Sequence, residues 1–246
     1  MSGADDVAQA PKYDGPKTPA IDRLSRVASA LGEDLRRRVV FIGGSVMQLV
    51  ATDHQVFESS RPTKDVDGIV ATTRYIEKGR IEEQLRELKF THAMTPGAHA
   101  DRWHAPDGTI FDLVSCGKHA GGTGNTHDEF AVTTAQSVDL PPLIRHASGL
   151  AVLLLKCGAF NDRGVKAPLE SRDLMDLVVL AATRPELSAE FDTAPAEIQD
   201  AIRNTLRHIL ETPRIRSAIS THVRDRGPLA DDVEDVVLAT LRVLAA

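Results

Sequence analysis

The spacing of apolar residues changes along this chain, and the change divides it. From Ile21 to Arg37, the positions Ile21, Leu24, Val27, Ala28, Leu31 and Leu35 recur at helical spacing, which predicts a helix. RVVFI follows, a short β-branched run closed by Gly43-Gly44, and reads as a buried strand over 38–42. VMQLVA after Ser45 predicts a short helix with Ser45 as its cap. The polar connection TDHQVFESSRPTK leads into DVDGIVA, a second strand. Thr73–Glu87 is a charged segment with Ile76, Ile81 and Leu85 spaced as one helix face. KFTHAM, DRWHA and TIFDLVSC predict three further strands, with turns at Pro96-Gly97 and Pro106-Asp107-Gly108.

Beyond Cys116 the pattern is different. HAGGTGNTHDE reads as a mobile glycine-rich loop. From Ala147 onward the chain is helical, with helices expected over 147–160, 171–183, 195–211, 213–224 and 230–245, punctuated by Pro168, Pro185, Pro195, Pro213 and Gly227-Pro228. No internal repeat is visible. The expected fold class is α+β: an α/β N-terminal domain with a mixed sheet, then a C-terminal helical domain. The expected bounds are a loose leader over 1–20, rich in proline with little to bury, then 21–145 and 146–246.

Composition narrows the class. At 246 residues there is material for one large or two small cores. The apolar and charged fractions, 42% and 26%, are those of a globular protein, and no apolar run approaches the roughly 20 residues that span a bilayer. The N-terminus lacks the apolar core of a secretion signal. Cys116 and Cys157 make no disulfide framework or zinc spacing, so a reduced, cytoplasmic setting is expected. A net charge of −6 argues against nucleic-acid binding through the overall field. It leaves room for a local patch, because 197–226 carries six arginines (203, 207, 214, 216, 224 and 226) against four acids. A solvated helix face is the plainer reading of that stretch.

The candidate chemistry lies in FIGGSVMQLV and RPTKDVDGIV. Gly43 and Gly44 let backbone approach a ligand, and the helix start behind them presents free N–H groups to phosphate. Ser45 offers a hydroxyl donor. Alone, such a turn more often serves packing. The acidic pair downstream changes its weight: Asp65 and Asp67 are one residue apart in a strand, so both carboxylates point to one face. Like charges that close repel unless a cation lies between them, and oxygen ligands suit Mg²⁺, with Mn²⁺ as the alternative. Asp112 stands mid-strand in an apolar run, where an acid is disfavoured; it is either a third ligand or an edge residue facing water. Three carboxylates fit two-metal phosphoryl chemistry, in which Asp112 would help deprotonate an attacking hydroxyl.

Gly-Gly-Ser, a helix, an Asp-x-Asp strand and a later strand Asp resemble the nucleotidyltransferase superfamily typified by DNA polymerase beta. LAVLLLKCGAF followed by LESRDLMDLVVL is similar to the AbiEii-type toxin nucleotidyltransferases, the toxin half of toxin–antitoxin pairs. The positions that match are Lys156, Arg172, Asp173 and Asp176, and the resemblance runs from about Val39 to Leu180. The interval of 19 residues between Ser45 and Asp65 is a departure, longer than the compact spacing of the superfamily. The resemblance implies an NTP substrate, two magnesium ions on Asp65, Asp67 and Asp112, an RNA acceptor at the 3′ end of tRNA, and a cognate antitoxin protein as partner. It makes Lys156 and Asp173 catalytic residues that close the site from the helical side. On the residues alone, Lys156 is equally a core-helix lysine with its stem buried, and Asp173 and Asp176 equally first-turn acids behind Ser171. Arg61 and Lys64 are candidate nucleotide contacts or plain loop charges. Two enzyme alternatives stay open, a small-molecule nucleotidyltransferase of the aminoglycoside type and a protein AMP-transferase. A catalytically idle binding module is the non-enzyme alternative. His119 and His127 read as surface-loop residues rather than a metal clip, and Trp103 as core rather than a base-stacking platform.

Overall fold

A computed structural model of the chain describes residues 10–53, 63–94, 100–118, 123, 125–224 and 230–246. The chain divides into two compact units, Met1–Gln48 with Pro62–Ser148, and Leu49–Arg61 with Gly149–Ala246.

The first unit is built on a seven-stranded sheet in the order β3-β4-β5-β2-β1-β7-β6. Its strands are β1 (Val39–Ile42), β2 (Asp65–Ala71), β3 (Thr91–His92), β4 (Arg102–His104), β5 (Ile110–Cys116), β6 (Gln136–Asp139) and β7 (Leu143–His146). The pairs β2·β5 and β1·β7 are parallel and the others antiparallel, so the sheet is mixed, as expected. Its fully buried side chains lie on both faces, Val39, Phe41, Val66 and Phe111 on one and Val40 and Ile69 on the other. The rings of Phe41 and Phe90 flank that of Phe111 at centroid distances of 6.3 and 5.9 Å.

The helix expected over 21–37 is two helices, α1 (Pro19–Ala30) and α2 (Gly32–Arg38). Gly32 has φ +66°, a backbone conformation that breaks the helix and that glycine alone adopts cheaply. Thr18 caps α1 through its side chain, and Pro19 occupies the first helical position, where its missing N–H costs nothing. Within the expected leader, Lys12 bridges to Asp139 of β6. Tyr13 N–H donates to the Asp139 carbonyl at 3.0 Å, and Asp139 N–H to the Pro11 carbonyl at 2.8 Å, so this stretch runs along β6. Gly43–Val46 forms a 3-10 turn that passes into α3 (Met47–Val50), so Ser45 lies inside the turn and does not cap the helix. The Thr73–Glu87 helix is α4 (Tyr75–Glu87). Part of the expected glycine-rich loop is ordered: Asn125 caps α5 (Thr126–Thr133) by accepting from His127 N–H at 2.9 Å.

The second unit is helical: α6 (Gly149–Ala159), α7 (Arg172–Thr183), α8 (Leu187–Asp192), α9 (Ala196–Glu211), α10 (Pro213–Arg224) and α11 (Ala230–Ala245). α6 is apolar but for Lys156 and buried along most of its length. The segment after α3 belongs here as well. Thr52 and Asp53 N–H donate to the Thr183 carbonyl at 3.0 and 2.9 Å, and Arg184 Nη1 donates to the Val50 carbonyl at 2.7 Å. The start of the polar connection over 52–64 is therefore tied to the end of α7, and its residues 54–62 lie outside the described residues. No helix among the described residues is long and apolar enough to cross a membrane.

Candidate functional site: an acidic row beside a glycine turn

Strand register places the acids. β2 and β5 run parallel with Asp67 opposite Asp112, and Asp67 also lies opposite Ile42 on β1. On the other side of β5, Arg102 of β4 lies opposite Asp112. One row across four strands thus carries Arg102, Asp112, Asp67 and Ile42, the residue immediately before the Gly43-Gly44 turn. Asp65 is two positions from Asp67 and shares its face, while Val66 between them points into the core and is fully buried. The burial of β5 alternates in the same way, with Phe111 and Leu113 buried on either side of the half-buried Asp112.

Like charges directly opposite on neighbouring strands are unfavourable. Arg102 offsets them here. Its Nε and Nη2 donate to the two oxygens of Asp112 at 2.8 and 2.6 Å, and Nη2 lies 3.9 Å from Asp65 Oδ2. The hydrogen bonds to Asp112 push the Arg102 guanidinium above its ordinary value. Burial opposes the rise, and the charges of Asp112, Asp65 and Asp67 add to it. Asp65 Oδ1 is held separately, by the Thr63 hydroxyl at 2.8 Å. Gly43 has φ +73°, and a Cβ there would land on Asp67 Oδ2. Only glycine lets the turn lie this close to the carboxylate.

Ser45 is almost fully buried and donates its hydroxyl to the Ile42 carbonyl at 3.1 Å, so donation to a phosphate would require giving up that bond. Lys64 is exposed next to Asp65, and Arg61 lies outside the described residues. Arg102 and Thr63 were not singled out by sequence reasoning. Arg102 sits in a strand of three residues, and Thr63 in a tract read as loop. The signal for Arg102 was an arginine alternating with the buried Trp103, which becomes informative only once register is known.

A second charged cluster lies wholly within the helical unit. Lys156 of α6 is buried and reaches Asp176 Oδ2 at 2.6 Å and Asp173 Oδ1 at 3.3 Å. Arg163 donates to both oxygens of Asp173 at 2.8 and 3.0 Å. Ser171 caps α7 by accepting from Leu174 N–H at 3.2 Å, which sets Asp173 in the first turn. Burial pushes the Asp173 carboxyl up, but the Arg163 hydrogen bonds and the Lys156 charge outweigh it and hold the group below its ordinary value. For Lys156, burial is outweighed by the charges of Asp176 and Asp173, and its value is raised.

The arginines of 197–226 are partly committed to protein. Arg203 bonds Asp200 at 2.8 Å and lies over the Phe191 ring; Arg207 donates to the Ala245 and Ala246 carbonyls at 2.7 and 2.8 Å; Arg214 donates to the Lys166 carbonyl at 2.8 Å. Arg216 and Arg224 are exposed, and Arg226 lies outside the described residues. Trp103 is buried against Arg86 and His92, a core position. His127 is half-buried at the start of α5, and His119 lies outside the described residues. Cys116 and Cys157 are free and buried, and burial pushes the Cys157 thiol up to about 12.

No protein-family model matches the chain, and no curated protein matches it. Among solved structures it is similar to an antigenic nucleotidyltransferase-like protein from Paracoccidioides brasiliensis. The identity is 17%, the match covers 86% of this chain and 94% of that one, and the TM-score is 0.45.

Proposed function

We propose that the chain is a metal-dependent nucleotidyltransferase that moves NMP from an NTP to an acceptor hydroxyl and releases pyrophosphate. The observation that carries this reading is the row Asp112–Asp67–Ile42, with Asp65 on the same face and Gly43 against the Asp67 carboxylate. It joins an acidic face to a turn whose backbone a phosphate can approach.

The donor set suits a hard divalent cation, since all three side chains are carboxylates on adjacent strands. As they stand, no group of three or more His, Cys, Asp or Glu among the described residues is arranged to hold an ion. Arg102 donates to both oxygens of Asp112. Asp65 and Asp67 would hold Mg²⁺ (or Mn²⁺), and Asp112 would join them on exchanging Arg102 for the cation. Bound there, the ions would supply charge stabilisation for phosphoryl transfer. The protein's own part is to keep the carboxylates in register, to carry phosphate charge on the Gly43-Gly44 backbone, and to release Asp112 toward the acceptor hydroxyl.

The resemblance of LAVLLLKCGAF and LESRDLMDLVVL to AbiEii-type toxins favours RNA, the tRNA 3′ end, as acceptor, an antitoxin protein as partner, and catalytic roles for Lys156 and Asp173. Incubation with each α-labelled NTP, Mg²⁺ and total tRNA, aminoglycosides or the protein alone tests the acceptor. Label on tRNA is expected; label on a drug or on protein overturns the RNA acceptor while leaving nucleotidyl transfer in place.

A further inference from the structure

Arg23 stands on α1 and is half-buried. Its Nη2 donates to the carbonyl of Thr63, two residues before β2. Its Nε is buried and has no partner among the described residues. No acid among the described residues pairs with its charge, in a chain that holds 35 acids against 29 lysines and arginines. The lone cation is therefore no result of a shortage of acids. Its surroundings are the glycine turn. α1 packs against Gly43–Val46, and the side chain of Thr63 lies against Gly44, where a Cβ would be 3.4 Å from Thr63 Cβ and Oγ1.

A buried donor without a partner is costly, and so is a half-buried charge without a counter-charge. Holding the Thr63 carbonyl explains neither, because it takes one N–H and no charge. A water molecule would satisfy Nε and leave the charge as it is. An anion satisfies both, and the planar fork of a guanidinium matches the oxygens of a phosphate. Gly43 and Gly44 beside it present backbone without side chains, which the same phosphate can approach.

We propose that Arg23 is a phosphate-binding residue, held at the glycine turn to receive the triphosphate tail of a nucleoside triphosphate. The identity of the anion rests on the nucleotidyltransferase reading; the cation and its orphan donor do not, and no metal ion enters the inference. Arg23 then recognises the tail of the nucleotide and is indifferent to base and sugar. Its loss weakens binding in proportion to the phosphates present.

The test is equilibrium dialysis of the full chain against labelled nucleoside tri- and monophosphates, in EDTA and again in Mg²⁺, with affinity expressed per folded protein from circular dichroism. Arg23→Gln removes the charge and keeps an amide that can donate to the Thr63 carbonyl. It should weaken triphosphate binding about tenfold, the loss of one charge-assisted hydrogen bond, and leave monophosphate binding within about twofold. Arg23→Lys, which keeps the charge and loses the fork, should weaken triphosphate binding less than Arg23→Gln. Unchanged triphosphate affinity in Arg23→Gln overturns the proposal. Equal weakening of tri- and monophosphate overturns it as well, because Arg23 would then act only through the Thr63 backbone. A parent that binds no triphosphate under either condition removes the nucleotide site, and the role of Arg23 with it. A parent that binds triphosphate through Arg23 and transfers nothing keeps the phosphate role and removes nucleotidyl transfer.

Discussion

Arg102 and Asp112 face each other across β4 and β5 and share two hydrogen bonds, at 2.8 and 2.6 Å. The arginine offsets part of the charge of an acidic face that also holds Asp65 and Asp67, and it bonds both Asp112 oxygens. Arg102→Gln should therefore lower the melting temperature measured in EDTA, because three carboxylates lose their counter-charge. Added Mg²⁺ should raise the variant's melting temperature more than the parent's. Equal Mg²⁺ shifts in both would show that arginine and cation do not share Asp112.

Gly43 supplies the second prediction. Its φ of +73° and the place of its missing Cβ on Asp67 Oδ2 burden Gly43→Ala twice, with a strained backbone and a displaced carboxylate. The left-handed conformation costs about 1 kcal/mol for a residue with a Cβ, which a folded domain tolerates. Urea unfolding should register that modest loss, while nucleotidyl transfer should fall by far more than the stability change accounts for. A Gly43→Ala protein with near-parental activity would remove the turn from the site.

The helical unit offers a pH test. Asp173 is held below its ordinary value of 3.8: burial opposes this, but the Arg163 hydrogen bonds and the Lys156 charge prevail. Its contribution to stability is thus present above about pH 4 and lost as pH falls through the lower folded value. Lys156 is raised above 10.5, so its contribution is present below that value and lost as pH rises through the higher one. Asp173→Asn should unfold with a flatter acid limb than the parent when urea stability is followed from about pH 7 to pH 3. An identical acid limb would contradict the assignment.

Breaking the same network from its other side is a separate measurement. Lys156→Met leaves Asp176 without its 2.6 Å partner and removes one of the two cations on buried Asp173. Loss of one member of a buried ion pair costs about 3 kcal/mol, mostly through the charge left behind. The double variant Lys156→Met with Asp176→Leu should recover part of that loss. No recovery would mean that the lysine stem, rather than its charge, holds α6 and α7 together.

Much of the fold was legible in the sequence because its longer elements obey a period. The sites of β1, β2 and β5 and the helices from α9 onward follow from β-branched runs, helical spacing and proline punctuation. β6 and β7, with four residues each, and α8, with six, escaped because they lack the β-branched run and glycine punctuation by which the equally short β1 was read. The break between α1 and α2 turns on the backbone angle of Gly32, which apolar spacing does not encode. At the candidate site, Asp65 and Asp67 were visible from spacing within one strand, and Asp112 from an acid standing in an apolar run. Their alignment was not visible, because register between strands far apart in sequence is a tertiary property. Arg102 owes its place entirely to that register, whereas Thr63, two residues before Asp65, lies in a tract with no period to mark it.

Nucleotidyl transfer itself is tested most directly by pyrophosphate release from NTP in the presence of Mg²⁺ and acceptor, comparing the parent with Asp67→Asn. Asparagine keeps the shape at the centre of the row and removes the charge. The parent should release pyrophosphate stoichiometrically with NMP attached to acceptor, and Asp67→Asn should be slower by at least about a hundredfold, the upper range for residues supporting a metal site. Equal rates, or no release by the parent with any NTP and acceptor, would contradict the assignment of the acidic row as a nucleotidyl-transfer site.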